Sequence, residues 1–185
     1  MAKAIFEMVE NLEDLLKEKG AEPGSSRAFI FGGCALHLHT KARGSSDLDM
    51  ELEAIRSVTR DEIVMALDDV FYDDPAEGST SLVYDLTFSP TLAPLHEDYQ
   101  EDAIWLNHYE KDSPLYIYLV QKIDLAISKL GRFGDQDIED IHTLFDHGLD
   151  IEEFRKRATE AIKYAVAPEA RLTGNLNQVI NLYKP

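Results

Sequence analysis

The stretch from Phe29 to Glu53, FIFGGCALHLHTKARGSSDLDMELE, constrains the fold more than any other part of the chain. Phe29-Ile30-Phe31 is a short apolar run of the kind that forms a buried strand. Gly32-Gly33 breaks that strand, and Cys34-Ala35-Leu36-His37-Leu38 is able to open a short helix. A basic turn of small residues, Lys41 to Ser46, then leads into a second strand with strict alternation. Leu48, Met50 and Leu52 share one face of it, and Asp47, Asp49, Glu51 and Glu53 share the other. Four carboxylates on one face repel one another unless water or a cation separates them. Asp47 and Asp49, beside a glycine turn, suit a divalent cation bound through oxygen. The glycines let backbone N–H groups approach a phosphate, and a helix starting there adds partial positive charge. Metal plus triphosphate is the chemistry this suggests. A half-solvated sheet edge with its acids outward is the plain structural alternative.

The whole chain narrows the setting. Its 185 residues can bury a sizeable core as one domain, or as one domain with a helical extension. No apolar run is long enough to span a bilayer, and amphipathic sequence follows Met1-Ala2-Lys3-Ala4, so neither a membrane segment nor a secretory signal is expected. A single cysteine, Cys34, excludes an internal disulfide and suits a reducing cytoplasm. It is expected to pack beneath the strand-to-helix turn rather than to act as a nucleophile. The net charge of −17, from 18 basic and 35 acidic side chains, disfavours attraction to a polyanion, and no DNA partner is expected. An RNA partner needs a local basic patch, for which Lys41, Arg43, Lys122, Lys129 and Arg132 are the candidates.

Elsewhere, Ile5, Met8, Val9, Leu12, Leu15 and Leu16 predict an amphipathic helix over 3–19. Thr59 with Glu62 makes a capping box for a helix running to about Val70. Tyr72 to Thr80, with Pro75 and Gly78, reads as an acidic loop, and Leu82 to Phe88 as an alternating strand. Asp85 falls mid-strand, where aspartate has poor propensity. If that strand lies beside Asp47-Leu48-Asp49, Asp85 is a candidate third metal carboxylate; a solvent-facing aspartate is the alternative. Pro90 to Ser113 reads as irregular, with Trp105 covering the core, and Leu115 to Val120 as a further strand. A helix carrying Lys122 and Lys129 follows, then a break over Gly131 to Gly134 and a helix capped by Asp135. Asp137 and Asp140 can meet near its first turn, where acids also favour the helix dipole without any ligand. A helix over 150–166 carries the basic cluster Arg155-Lys156-Arg157, read as a solvated face, with an anion contact as the alternative. Leu172 to Asn175 reads as a turn into a last segment, Leu176 to Tyr183. The six histidines show no metal-ligand spacing.

Gly32-Gly33, followed by Arg43, Ser46 and Asp47-Leu48-Asp49, resembles the first motif of the polymerase-β-like nucleotidyltransferases. Lys129-Leu130-Gly131-Arg132 with Asp137 and Asp140 resembles their later lysine–arginine and paired-aspartate motifs. The nearest look is to AbiEii-type toxin nucleotidyltransferases and their bacterial relatives. The resemblance covers about Phe29 to Leu144. It implies an α/β (α+β) fold with a small mixed sheet flanked by helices: a nucleotidyltransferase-like core over 1–119 and a helical region over 120–185. It implies transfer of a nucleoside monophosphate from an NTP to a hydroxyl of RNA, protein or a small molecule, and in some members a toxin with a cognate antitoxin. Asp47, Asp49 and Asp85 would hold Mg²⁺ or Mn²⁺. Gly32, Gly33, Arg43, Ser46, Lys129 and Arg132 would bind the nucleotide. Lys129 would act on phosphate from an exposed helix face, and Asp137 or Asp140 would orient Lys129 or the acceptor. One departure is visible: toxin members generally carry Gly-Ser where this chain has Gly32-Gly33. A non-catalytic scaffold working through protein contacts is the competing reading.

Overall fold

Alternation of apolar and acidic residues from Asp47 to Glu53 is realised, but by two strands rather than one. The computed structural model describes residues 1–74 and 78–183. The chain divides into two units: Met1–Phe88 with Ala103–Leu119, and Ser89–Asp102 with the chain from Val120 onward. Among the described residues, seven α-helices accompany two small mixed sheets, all of whose strands belong to the first unit.

The first unit opens with α1 (Ala2–Glu18), which buries Ile5, Met8, Val9, Leu12 and Leu16 at helical spacing. One sheet has four strands in the order β3 (Met50–Glu53), β1 (Ser26–Ile30), β7 (Leu115–Leu119), β6 (Ile104–Trp105). β1 pairs antiparallel to β3 and parallel to β7, so the sheet is mixed. Ala28, Ile30, Ile117 and Met50 are buried, each large apolar side chain contributing about 1.5–3 kcal/mol. On the opposite face Phe29 stacks on Tyr118 at 5.0 Å, and Trp105 packs on Tyr116 at 4.6 Å. The second sheet has the order β2 (Asp47–Leu48), β5 (Gly78–Tyr84), β4 (Val70–Asp74). The chain therefore leaves one sheet and enters the other at Asp49, between β2 and β3. Leu48 and Met50 are buried on one side of this run while Asp47 is exposed on the other.

Several expectations shift here. α3 (Arg60–Ala66) carries the predicted Thr59–Glu62 capping box but stops at Leu67, because Val70 already pairs with Leu82. Tyr72–Asp74 and Gly78–Thr80 are strand rather than loop; Pro75 lies outside the described residues. β5 starts earlier than the alternation from Leu82 suggests and ends at Tyr84.

The second unit is helical: α4 (Lys122–Lys129), α5 (Asp135–Asp146), α6 (Ile151–Ile162) and α7 (Glu169–Leu182). The predicted turn at Leu172 to Asn175 is interior to α7. Leu172, Leu176 and Val179 are its buried stripe, and Gly174 is tolerated where a side chain would meet open space. Gly134, not Asp135, is the residue preceding α5. Arg157 does not belong to a solvated face. Its guanidinium grips the fully buried Asp124 with two bonds, at 2.8 and 2.9 Å, and Asp102 at 2.8 Å. Burial pushes the Asp124 carboxyl up and the Arg157 hydrogen bonds oppose that rise. This pair ties Ser89–Asp102 to α4 and α6.

Candidate active site

The turn from β1 into α2 (Gly32–Thr40) is where the first unit gathers its chemistry. Phe31 precedes the helix in extended conformation, and Gly32 follows at φ +58°, a region that side chains rarely adopt. The Phe31 N–H donates to the Asp49 carbonyl at 2.9 Å, locking the turn to the acidic strand. A Cβ on Gly32 would stand 1.7 Å from Asp49 Oδ2. The Asp49 carboxylate thus lies directly on Gly32, at the positive end of α2. Gly33 is also crowded, though less closely: its Cβ would fall 2.6 Å from Ser45 Oγ and 3.1 Å from Arg43 Nη1. Both glycines are required by what packs on them.

The loop from Lys41 to Ser46 is held from several sides. A His37 ring nitrogen bonds the Arg43 carbonyl at 2.9 Å, and Arg43 Nη1 donates to the Gly44 carbonyl at 2.8 Å. The Tyr72 hydroxyl donates to the Ser45 carbonyl at 3.0 Å. Ser45 Oγ donates to the Asp47 carbonyl at 3.0 Å and accepts from the Asp47 N–H at 3.4 Å. The Cys34 thiol also donates to that carbonyl, at 3.2 Å. Burial, reinforced by the Asp49 and Asp47 charges, pushes the Cys34 thiol well above its usual range, so it stays protonated and inert. Ser46 sits beside Asp47, its hydroxyl donating to Oδ2 at 3.3 Å. Gly32, Gly33, Arg43, Asp47 and Asp49 come together around one helix start. Sequence reasoning missed Ser45, His37 and Tyr72. Adjacent serines gave no means of choosing Ser45 over Ser46, and the tyrosine lies on another strand.

Asp85 is not mid-strand. It follows β5, and its Oδ1 accepts from the Thr87 N–H and hydroxyl, both at 2.7 Å. Such local capping is why aspartate favours turns over strands. Its own N–H donates to the Leu48 carbonyl at 3.1 Å, which sets it level with Asp49 in the ladder. Among the described residues no three His, Cys, Asp or Glu side chains are grouped to hold a metal, so Asp47, Asp49 and Asp85 form no ready three-carboxylate cage.

The second motif builds a cluster of its own within the second unit. The Lys129 ammonium meets Asp140 Oδ2 at 2.5 Å and Asp137 Oδ1 at 3.9 Å. Arg132 grips Asp137 with two bonds of 2.8 Å, and the Gly134 N–H adds a third at 3.0 Å. Gln136 donates to the other Asp140 oxygen at 3.1 Å. Burial works against the Asp137 charge, but the Arg132 and Gly134 hydrogen bonds and the Arg132 and Lys129 charges outweigh it and hold the carboxyl below its usual range. Lys129 is 7% exposed, which corrects the expectation of an exposed lysine. The helix pattern concealed this because its partners lie on α5.

No helix among the described residues is long and apolar enough to cross a membrane. A search of curated proteins finds none that matches the chain. A family model described as nucleotidyltransferase of unknown function (DUF6036) matches residues 3–183, nearly the whole length. With its glycine turn and acidic strand joined at one helix start, this chain belongs to that nucleotidyltransferase family.

Proposed function

We propose that the chain is a metal-dependent nucleotidyltransferase moving a nucleoside monophosphate from an NTP to a hydroxyl acceptor. The observation that carries this reading is the seat of the Asp49 carboxylate on Gly32, with Asp47 two residues before it, exposed at the start of β2. Mg²⁺ is commonly bound by one or two carboxylates together with substrate phosphates and water rather than by a complete protein cage. Asp47 and Asp49 are such a donor pair. A bound Mg²⁺ or Mn²⁺ would neutralise triphosphate charge and favour the deprotonated acceptor hydroxyl. The chain's own residues do the rest. The α2 N–H groups and Arg43 bind phosphate oxygens. The acceptor oxygen bonds to the α-phosphorus, the bond to the β-phosphate oxygen breaks, and pyrophosphate leaves. The hydroxyl proton passes to a neighbouring carboxylate or to water.

The likeness to AbiEii-type toxins supports an RNA, protein or small-molecule acceptor in the cytoplasm of a bacterium, with an antitoxin as partner. The net charge of −17 favours an acceptor other than a long polyanion. The competing reading, a non-catalytic scaffold, gains from one observation. Lys129, Arg132, Asp137 and Asp140 satisfy one another within the second unit, so structure alone accounts for their presence.

Label transfer decides between them. Each of four α-labelled triphosphates is incubated with Mg²⁺, cell extract and protein. Wild type is expected to transfer label from at least one, and Asp47→Asn and Asp49→Asn to lose it while remaining folded. Calorimetry should show tighter triphosphate binding with Mg²⁺ than without, as a shared cation requires. Equal affinities and no transfer would leave the scaffold reading standing.

A further inference from the structure

We propose that Ser45 is a nucleotide-binding residue whose hydroxyl occupies the place a side chain at position 33 would otherwise fill, and supplies a phosphate contact from there. The proposal rests on the nucleotidyltransferase reading above. Three observations carry it. A Cβ at Gly33 would stand 2.6 Å from Ser45 Oγ and 2.8 Å from Ser45 Cβ, so one side chain alone fits that space, and it comes from the loop. The space opens on the first turn of α2, beside Arg43 Nη1, 3.1 Å from the same point. Ser45 can also turn its proton outward at little cost. Its present acceptor, the Asp47 carbonyl, has a second donor in the Cys34 thiol at 3.2 Å. The Asp47 N–H still donates to Ser45 Oγ at 3.4 Å and holds the oxygen in place as the proton swings to a phosphate. Ser46, the serine favoured by the motif, instead donates to the Asp47 carboxylate.

The test relocates the hydroxyl. Dissociation constants are measured for the four nucleoside triphosphates and their monophosphates with Mg²⁺. Wild type, Ser45→Gly, Gly33→Ser and the double variant Ser45→Gly/Gly33→Ser are compared, with a melting curve for each. A hydrogen bond to a charged group is worth enough that Ser45→Gly should weaken triphosphate binding about tenfold or more. Monophosphate binding should change less than threefold. Gly33→Ser alone should melt lower, because two side chains then share one space. The double variant should recover triphosphate affinity to within about threefold of wild type, since the hydroxyl returns from the opposite wall. Ser45→Gly binding triphosphate as tightly as wild type would overturn the proposal, whether or not the double variant folds. A folded double variant as weak as Ser45→Gly would overturn it too. Wild type binding no triphosphate at all would instead remove the enzyme reading on which the proposal stands.

Discussion

Replacing Gly32 by alanine would drive a Cβ to 1.7 Å from Asp49 Oδ2, and the backbone at φ +58° adds strain to the collision. Gly32→Ala is expected to lower stability by roughly 1–3 kcal/mol and to abolish nucleotide transfer, measured by urea unfolding and label transfer on the same preparation. Wild-type transfer in this variant would mean that Asp49 need not sit where it does. Lys129 calls for a different expectation from the one its helix pattern invites. Its ammonium is buried against Asp140, and removing one partner of a buried ion pair leaves the other uncompensated. Lys129→Ala should therefore cost about 3–5 kcal/mol. Lys129→Met with Asp140→Leu should cost less than the single truncation, because no unpaired charge remains. Urea denaturation of the three proteins checks this. A Lys129→Ala cost under about 0.5 kcal/mol would match an exposed side chain and contradict the observed pairing.

At the scale of elements, the ends of strands and helices decide where the acids stand. Asp85 closes β5 by accepting two hydrogen bonds from Thr87, and asparagine keeps that acceptor while removing the charge. Asp85→Asn is expected to keep transfer within about threefold and stability within about 0.5 kcal/mol. Asp85→Ala should lose about 1 kcal/mol as the turn loses its cap. Loss of transfer in Asp85→Asn with unchanged stability would restore a charge-dependent role. Periodicity made much of this architecture legible: α1, β1, β7, the Thr59 capping box and the opposite faces of Leu48 and Asp47 follow from local sequence. The glycine turn and Asp47-Leu48-Asp49 were legible as a pair because both lie in one short stretch. Partners set by distant residues were not. Arg157 finds Asp124 across 33 residues and Tyr72 reaches Ser45 across 27, while the pairing of Lys129 with Asp140 across 11 was indicated by the family resemblance and not by the helix pattern. Val70 reads locally as a helix end because nothing beside it marks it as the strand partner of Leu82, which lies beyond the segment read as an acidic loop. Gly174 misled in the other direction, since glycine in a helix costs only about 1 kcal/mol and a buried stripe can carry it.

Across the whole molecule, 35 acidic side chains against 18 basic ones make acid the revealing perturbation. Asp137 in the second unit and Glu62 in the first both have depressed pKa values, Glu62 lowered to about 2 chiefly by the Lys19 side chain. For such groups the folded state binds its proton later than the unfolded chain does. Their stabilisation is present above the unfolded value near pH 4 and is lost as pH falls through the folded value. Stability should thus decline from about pH 4 towards pH 2, and Asp137→Asn should make the decline shallower while lowering stability at pH 7. Unfolding midpoints across that range would show it; an unchanged slope would mean that Asp137 titrates normally. A last consequence belongs to the run that passes from β2 into β3. Leu48 answers to the register of one sheet and Met50 to that of another, with a single residue, Asp49, between them. One residue inserted or deleted there would turn either half inside out, carrying acids into the core and leucine or methionine into water. The connection over 54–58, outside helix and strand, carries no such constraint. Evolution can lengthen this protein on one side of Glu53 and not on the other.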